Sequence, residues 1–291
     1  MSSSFVVWLF DAMARLPLSV LHSLGVLLGW ATYLVSGRYA ERLRENLGNY
    51  NAGRDPSELR KVLRASVAEA GKSIAELPWI WRRPLDEVLS RVRNCYGREL
   101  LDEAQQSGRG VIVLTPHLGC FEIISLYVAS GLPVTAMYST PKRAWMDSII
   151  RSGRQRGQMR LARADLGGVR TLFKALKRGE IIGLLPDQVP GQGEGEWADF
   201  FGRPAYTMTL VGRLLESSGA RLLLSYAVRR PHGEGYDIYF VPLELNADLP
   251  VTRQINSALE KVIRTCPAQY LWSYNRYKAP PGSLPAAESR E

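Results

Sequence analysis

Apolar positions along this chain fall into two regimes. From Phe5 to Val35 they are nearly continuous, broken by Asp11 and Arg15, and Leu16 to Val35 carries no formal charge. A run of about 20 such residues is long enough to cross about 30 Å of hydrocarbon as a helix. Arg38, Arg42 and Arg44 follow closely, and by the positive-inside tendency they place the rest of the chain in the cytoplasm. The pattern predicts a membrane-anchoring helical segment over residues 1–37, and leaves open whether it spans the bilayer or lies in its interface. A buried helical hairpin of a soluble protein would give the same run.

Beyond that segment the pattern becomes periodic. Asp55-Pro-Ser-Glu58 offers a capping residue, a proline at the first helical position and an early carboxylate. Leu59, Val62, Leu63, Val67, Ile74 and Leu77 then keep helical spacing until Pro78, where a helix is expected to stop. Trp79 and Trp81, beside Arg82 and Arg83, suit either a membrane-interface belt or a core position after the helix. From Gly97 onward short apolar runs alternate with helical ones. Helices are expected over 98–106, 122–130, 169–178, 207–218 and 252–265. Strands are expected over 111–115, 133–138, 181–185, 222–228 and 236–241, with a basic helical region between 138 and 169. That alternation predicts an α/β domain over 38–280, its central mixed sheet covered by helices on both faces. The Pro- and Ala-rich residues 281–291 read as a flexible tail.

Charge sharpens the picture. The formal net charge is +9, and residues 141–178 hold eleven Lys or Arg against Asp147 and Asp165, so the remainder balances to zero. An acidic partner is implied: nucleic acid, anionic membrane, a phosphorylated substrate or an acidic carrier protein. No helix-turn-helix, zinc or RNP-type signature supports nucleic acid. Arg151, Arg154, Arg156, Arg160 and Arg163 fall close together with almost no acidic neighbours. Arginine suits two-point recognition of phosphate or carboxylate, although a basic run is more often a solvated face. Three dispersed cysteines and three histidines without ligand spacing favour neither a disulfide framework nor a metal site.

One stretch looks chemical. Val111-Ile-Val-Leu-Thr-Pro-His117-Leu-Gly-Cys-Phe-Glu122 reads as a buried strand that stops at a proline and delivers a histidine into a turn. Ligands gather at the carboxyl ends of such strands. Residues five apart do not share a helix face, so His117 and Glu122 meet only if Glu122 reaches back from the first helical turn. A carboxylate on one imidazole nitrogen would fix the tautomer and leave the other as general base. Leu184-Leu-Pro-Asp187-Gln188 repeats the theme and should open onto the same edge. Gly191-Gln-Gly-Glu-Gly-Glu-Trp197 lacks the surroundings of a phosphate loop and is expected to cover the site as a mobile loop.

Taken together, these stretches resemble the late (secondary) acyltransferases of lipid A synthesis, of the lysophospholipid-acyltransferase-like class, over nearly the whole chain. The likeness rests on the apolar N-terminus, His117 and Glu122, Gly153-Arg154-Gln-Arg156 and Leu176-Lys-Arg-Gly-Glu180. It continues through Pro186-Asp187-Gln188, Phe200-Phe201-Gly202 with Thr207 and Thr209, Gly219-Ala220, and Pro267-Ala-Gln269-Tyr-Leu-Trp272 onward to Lys278. Ala268 and Tyr274-Asn275 depart from that family's last block, which is expected here to pack and to contact a headgroup rather than to catalyse. The resemblance implies a bacterial inner-membrane enzyme facing the cytoplasm that moves a fatty acyl chain from acyl carrier protein to a hydroxyl of an acyl chain on a lipid A precursor. His117 would be the base and Glu122 its orienting carboxylate. Arg154 and Arg156 would bind lipid A phosphates or the carrier protein. Asp187, with Gln188, would hold one of these arginines or a sugar hydroxyl. The oxyanion would take a donor from the Leu118-Gly119 turn or from an arginine, and neither cofactor nor metal is implied.

Other readings of the residues are another glycolipid or aminoacyl-lipid acceptor, and a non-enzymatic basic protein on anionic membrane. An ester hydrolase is a third; it lacks a Gly-x-Ser-x-Gly elbow, leaving Cys120 as the nearby nucleophile.

Overall fold

The structure is a computed structural model and describes residues 3–50, 55–141 and 143–283. The apolar N-terminus forms two helices, α1 (Ser3–Ala14) and α2 (Leu18–Val35), with Pro17 immediately before the second. Helix α3 (Gly37–Tyr50) follows, then α4 (Pro56–Ala75), whose N-terminus is capped by the Asp55 carboxylate accepting from the Ser57 amide at 2.9 Å. Helix α4 stops just ahead of Pro78, as the spacing predicts, although the proline itself opens another helix. Pro78 lies in the first turn of α5 (Leu77–Arg82), where a missing N–H leaves no intrahelical bond unmade. A short α6 (Leu85–Leu89) completes this layer. Trp79 and Trp81 are buried, which settles them as core residues.

The α/β body then runs β1 (Val92–Tyr96), α7 (Arg98–Gln106), β2 (Val111–Leu114), α8 (Phe121–Ala129), β3 (Val134–Tyr138) and α9 (Ala144–Arg154). It continues with β4 (Met159–Arg163), α10 (Leu166–Lys177) and β5 (Ile181–Leu184). Then come a hairpin of β6 (Gly195–Phe200) and β7 (Arg203–Met208), α11 (Leu210–Ser218), β8 (Arg221–Arg229), β9 (Tyr236–Pro242) and α12 (Val251–Thr265). Seven strands form one sheet in the order β1-β9-β8-β2-β5-β3-β4. Strands β4, β3, β5, β2 and β8 run parallel, while β9 is antiparallel to β8 and parallel to β1. The sheet is therefore mixed, as expected. Central β2 is buried along its whole length, which is why Val111–Leu114 reads as a continuous apolar run instead of an alternating one. One face packs on α3, α4, α10, α11 and α12. The other packs on α2, α5, α6, α7, α8 and α9.

Three stretches depart from the sequence reading. Part of the basic region taken as helical is edge strand β4, in which Arg160 and Arg163 are exposed while Met159 and Ala162 are buried. The Gly-rich stretch ending at Trp197 is not wholly a loop, because Gly195 onward is strand β6. Its partner β7 takes residues 203–208, which the pattern had partly assigned to a helix. The connection is Phe201-Gly202, both at positive φ (49 and 72), the backbone of a tight two-residue hairpin turn. The third is β1, which pairs with β9 at the sheet edge. Residues 284–291, most of the expected tail, lie outside the described residues.

Candidate active site

The centre is set by strand register. Strands β2 and β5 pair in parallel with Leu114 opposite Leu184. Each is followed by one residue, a proline, and then a polar side chain: Thr115-Pro116-His117 and Leu185-Pro186-Asp187. Equal offsets from paired residues bring His117 and Asp187 side by side at the carboxyl edge. Asp187 accepts twice from His117, Oδ2 from the backbone N–H at 2.8 Å and Oδ1 from ring Nδ1 at 2.8 Å. Burial alone would raise the Asp187 carboxyl. The adjoining His117 charge and hydrogen bonds outweigh it and hold the carboxyl below its ordinary value. The other ring nitrogen, Nε2, lies 3.1 Å from the Gln188 side-chain amide. With Nδ1–H donating to Asp187 and Gln188 donating to Nε2, the hydrogen-bond network assigns the tautomer in which Nε2 carries a free lone pair.

The turn after His117 is clamped on every side. The Gly119 amide donates to the Gln269 carbonyl at 2.9 Å, and the Cys120 amide to Ala227 O at 2.9 Å. The Leu271 amide donates to His117 O at 3.0 Å. Gly119 has φ +59, and a Cβ there would sit 1.7 Å from the Ala227 carbonyl oxygen, so only glycine passes this close to β8. Beneath the turn, the Arg229 guanidinium donates to Gly119 O at 2.8 Å and to Glu76 at 2.6 Å. Glu76 also accepts from Tyr236 Oη and is paired with His22 at 3.1 Å. Burial would raise Glu76, but Arg229 and then His22 prevail and bring it down to about 2. Burial, reinforced by Glu76, pushes the neighbouring Cys120 thiol well up, so the structure gives no support to Cys120 as nucleophile.

Glu122 does not reach His117 as the spacing allows. It sits in the first turn of α8 and is bound by Arg154, whose Nε donates to Oε2 at 2.9 Å and whose Nη2 donates to Oε1. The Trp81 indole N–H donates to Oε2 at 3.1 Å, and the Arg154 guanidinium lies 5.7 Å from the Trp81 ring centroid. The carboxylate expected on His117 Nδ1 is therefore supplied by Asp187. Helix α8 departs from the sheet in a direction that turns Glu122 toward α5 and α9. Burial would lower Arg154; the Glu122 charge outweighs it and keeps the guanidinium firmly protonated. Glu122 and Arg154 stand in the wall of a cleft of about 630 Å³, counted to its open mouth, between β2, β3, β5 and α8. Apart from Thr115, Ser125 and this ion pair, its lining is apolar and includes Val113, Ile124, Met137, Leu161 and Leu184, with Gly183 leaving room at the wall. Phe121 belongs both to this lining and to the His117 environment, its ring 4.7 Å from the imidazole.

Arg156 donates to the carbonyls of Ile80 at 2.8 Å and Arg83 at 2.5 Å, closing the end of α5. Two arginines singled out for anions are thus engaged within the protein. Arg163, the last residue of β4, and Arg143 and Arg170, on the segments after β3 and β4, are instead exposed and have no ion-pair partner among the described residues. The turn amides proposed for an oxyanion are also occupied, Leu118 N by Pro116 O and Gly119 N by Gln269 O. Sequence reasoning missed Arg229 and Glu76. Their only signal was a charged pair, 153 positions apart, within otherwise apolar surroundings. The last block packs as expected: Leu271 and Gln269 brace the turn, and Tyr274 Oη accepts from the Val189 amide at 2.9 Å. Among the described residues no group of three His, Cys, Asp or Glu could hold a metal ion.

Comparison with known proteins adds a chemical context. The family described as bacterial lipid A biosynthesis acyltransferase matches residues 1–279. The chain is 28% identical over 287 residues to the lipid A biosynthesis lauroyltransferase of Escherichia coli K12, covering 97% of this chain and 92% of that protein. It is also 28% identical over 291 residues to the palmitoleoyltransferase of the same organism, with 95% and 90% covered. With the myristoyltransferase the figure is 26% over 251 residues, with 81% and 76% covered.

Proposed function

The chain belongs to the bacterial lipid A biosynthesis acyltransferases, and on that premise we propose the step it performs. It moves a fatty acyl group from an acyl carrier protein thioester to a hydroxyl on an acyl chain of a lipid A precursor, at the cytoplasmic side of the inner membrane. The observation that carries this reading is the His117–Asp187 pair at 2.8 Å, its imidazole 4.7 Å from the Phe121 ring that lines the apolar cleft.

The acceptor hydroxyl takes the place of the Gln188 amide at Nε2 and gives its proton to the imidazole as its oxygen attacks the thioester carbonyl. A C–O bond forms, the C–S bond breaks, and the proton passes from the imidazolium to the departing thiolate. Asp187 holds the tautomer and stabilises the imidazolium. Since the Leu118 and Gly119 amides are occupied, the Gln188 amide freed from Nε2, with Arg154, is the donor set for the developing oxyanion. Glu122 acts through Arg154, fixing it in the cleft wall, and not on the base. The apolar lining of the cleft suits an acyl chain. The exposed Arg143, Arg163 and Arg170 suit the acidic carrier or the phosphates of the acceptor. No cofactor enters the step as proposed.

The test is acyl transfer by detergent-solubilised protein, with labelled acyl carrier protein thioester and a tetra-acylated lipid A precursor, read by product mass. His117→Ala should lose about 10²–10⁴-fold, the share of general-base help. Equal transfer by variant and parent would remove His117 from the mechanism.

A further inference from the structure

Helix α2 is apolar on both sides, and the fold covers only one of them. Leu18, Leu21, His22, Gly25 and Gly29 form a buried stripe. The opposite stripe carries Val20, Leu24, Leu27, Leu28, Leu34 and Val35, of which Leu27, Leu34 and Val35 are 67%, 76% and 87% exposed. The helix is long enough to cross a bilayer. The buried stripe argues against its doing so.

That stripe is joined to α4 at backbone distance. A Cβ on Gly71 would lie 1.9 Å from Gly25 O, and one on Gly29 would lie 2.1 Å from Val67 O, so side chains could not be inserted into the seam. His22, halfway along the seam, is paired with buried Glu76, which in turn holds Arg229 under the catalytic turn. The loop after β8 closes on the start of α2, where a Cβ on Gly233 would meet Ser19 N at 2.5 Å. Helix α4 itself carries Arg60, Lys61, Arg64, Glu69 and Lys72. If α2 crossed the bilayer with the seam intact, these charges would be drawn into hydrocarbon. If it crossed alone, buried Glu76 would lose its His22 partner in the protein interior. Both are strongly unfavourable.

We infer that α2 lies in the plane of an anionic bilayer leaflet as a fixed part of the catalytic domain, its outer stripe sunk among the acyl chains. Charge at both ends of the helix fits that occupant. Arg15 is exposed at the α1–α2 junction, and Arg38 and Arg44 are exposed just beyond Val35, with Arg44 donating to Tyr33 Oη at 2.8 Å. Helix α1 extends the face with exposed Trp8, and its Phe10 ring lies 6.0 Å from Trp81, the residue that holds Glu122. The lipid face thus adjoins the cleft. The preference for lipid over a protein partner rests in part on the lipid acceptor of the proposed reaction.

The experiment is depth measurement in vesicles of phosphatidylethanolamine and phosphatidylglycerol (3:1) brominated at defined acyl positions. A fluorophore is placed on single cysteines replacing Val20, Leu24, Leu28 or Val35 in the full chain, with Cys95, Cys120 and Cys266 substituted. All four positions should be quenched most strongly by the same shallow bromine. A spanning helix would spread them over about 22 Å, at 1.5 Å per residue. A depth that varies along the helix, with positions 24 and 28 deeper than 20 and 35, would overturn the inference. So would absence of quenching at all four positions with self-association in light scattering, which would assign the face to a second copy. Arg15→Gln and Arg38→Gln should each weaken vesicle binding about fivefold at low salt, and unchanged binding would remove the anionic headgroups from the argument. Depth needs no turnover. A protein that docks flat but transfers no acyl group would refute the reaction and leave this inference standing; an active enzyme with a graded depth profile would do the reverse.

Discussion

Asp187→Asn separates the two carboxylates near the site. His117 presents two donors to Asp187, its backbone N–H and its Nδ1–H, and the carboxylate accepts both at 2.8 Å. An asparagine has one acceptor and one donor. If its oxygen faces Nδ1, its NH₂ opposes the backbone N–H; if its NH₂ faces Nδ1, the imidazole proton moves to Nε2 and the base is lost. The charge is lost in either case. With charge centres about 4 Å apart and an effective dielectric near 20, the imidazolium loses about 4 kcal/mol of stabilisation, a ceiling of about 10³-fold in rate. Single-turnover transfer from labelled carrier-protein thioester should therefore slow by about 10²–10³-fold, with little change in the thioester concentration at half-saturation. Glu122→Gln should leave the tautomer untouched and loosen Arg154 in the oxyanion donor set, slowing transfer less than Asp187→Asn does. The reasoning would be refuted if Asp187→Asn stayed within threefold of the parent while Glu122→Gln abolished the chemical step.

Three further outcomes follow from the same geometry. Depression of Glu76 from 4.5 to about 2 corresponds to about 3 kcal/mol of stability. Because the folded value is the lower one, this contribution is present above about pH 4.5 and is lost as pH falls toward 2. Urea midpoints of the parent should drop across that window, whereas Glu76→Gln, which leaves buried Arg229 with only Glu69 at 3.4 Å as ion-pair partner, should begin about 3 kcal/mol lower and change less. Gly119→Ala must take a left-handed residue with its Cβ in the Ala227 carbonyl, and should cost about 2 kcal/mol or more in thermal unfolding. A Cβ at Gly183 would meet Ala136 Cβ at an ordinary 3.7 Å, so Gly183→Val should fold and fill the cleft wall. Competition between carrier-protein thioesters should then shift toward shorter chains, and an unchanged preference would place the acyl chain elsewhere.

Much of this architecture is written locally. The continuous apolar run of β2 and the helical spacing of α4, α7 and α12 are short-range patterns that survive folding unchanged. Edge strand β4 was missed because its solvent-facing arginines look like a basic helix when the neighbouring strand is unknown. The β6–β7 hairpin was missed because its glycines look like a loop until two positive-φ residues at 201 and 202 join the strands. At the site, His117 and Asp187 were both visible, each two residues past a strand-ending Leu-x step and each behind a proline. Their partnership was not visible, because it depends on which strands are neighbours and in what register. Glu122 was the nearest carboxylate in sequence and was assigned to His117 on that ground; the exit direction of α8 gives it to Arg154 instead.

By itself, then, the sequence determined the alternation of strands and helices, the polar residues delivered to strand ends, and an N-terminus too apolar to sit wholly in water. Those properties depend on neighbours within a few positions, where backbone periodicity and turn chemistry dominate. Only the tertiary structure decided that Asp187 faces the imidazole, that Glu76 and Arg229, 153 positions apart, brace the turn after His117, and that one side of α2 belongs to α4. Each of these follows from the closing of long loops, when burial forces every charge to find a partner and sheet order determines which partners are within reach.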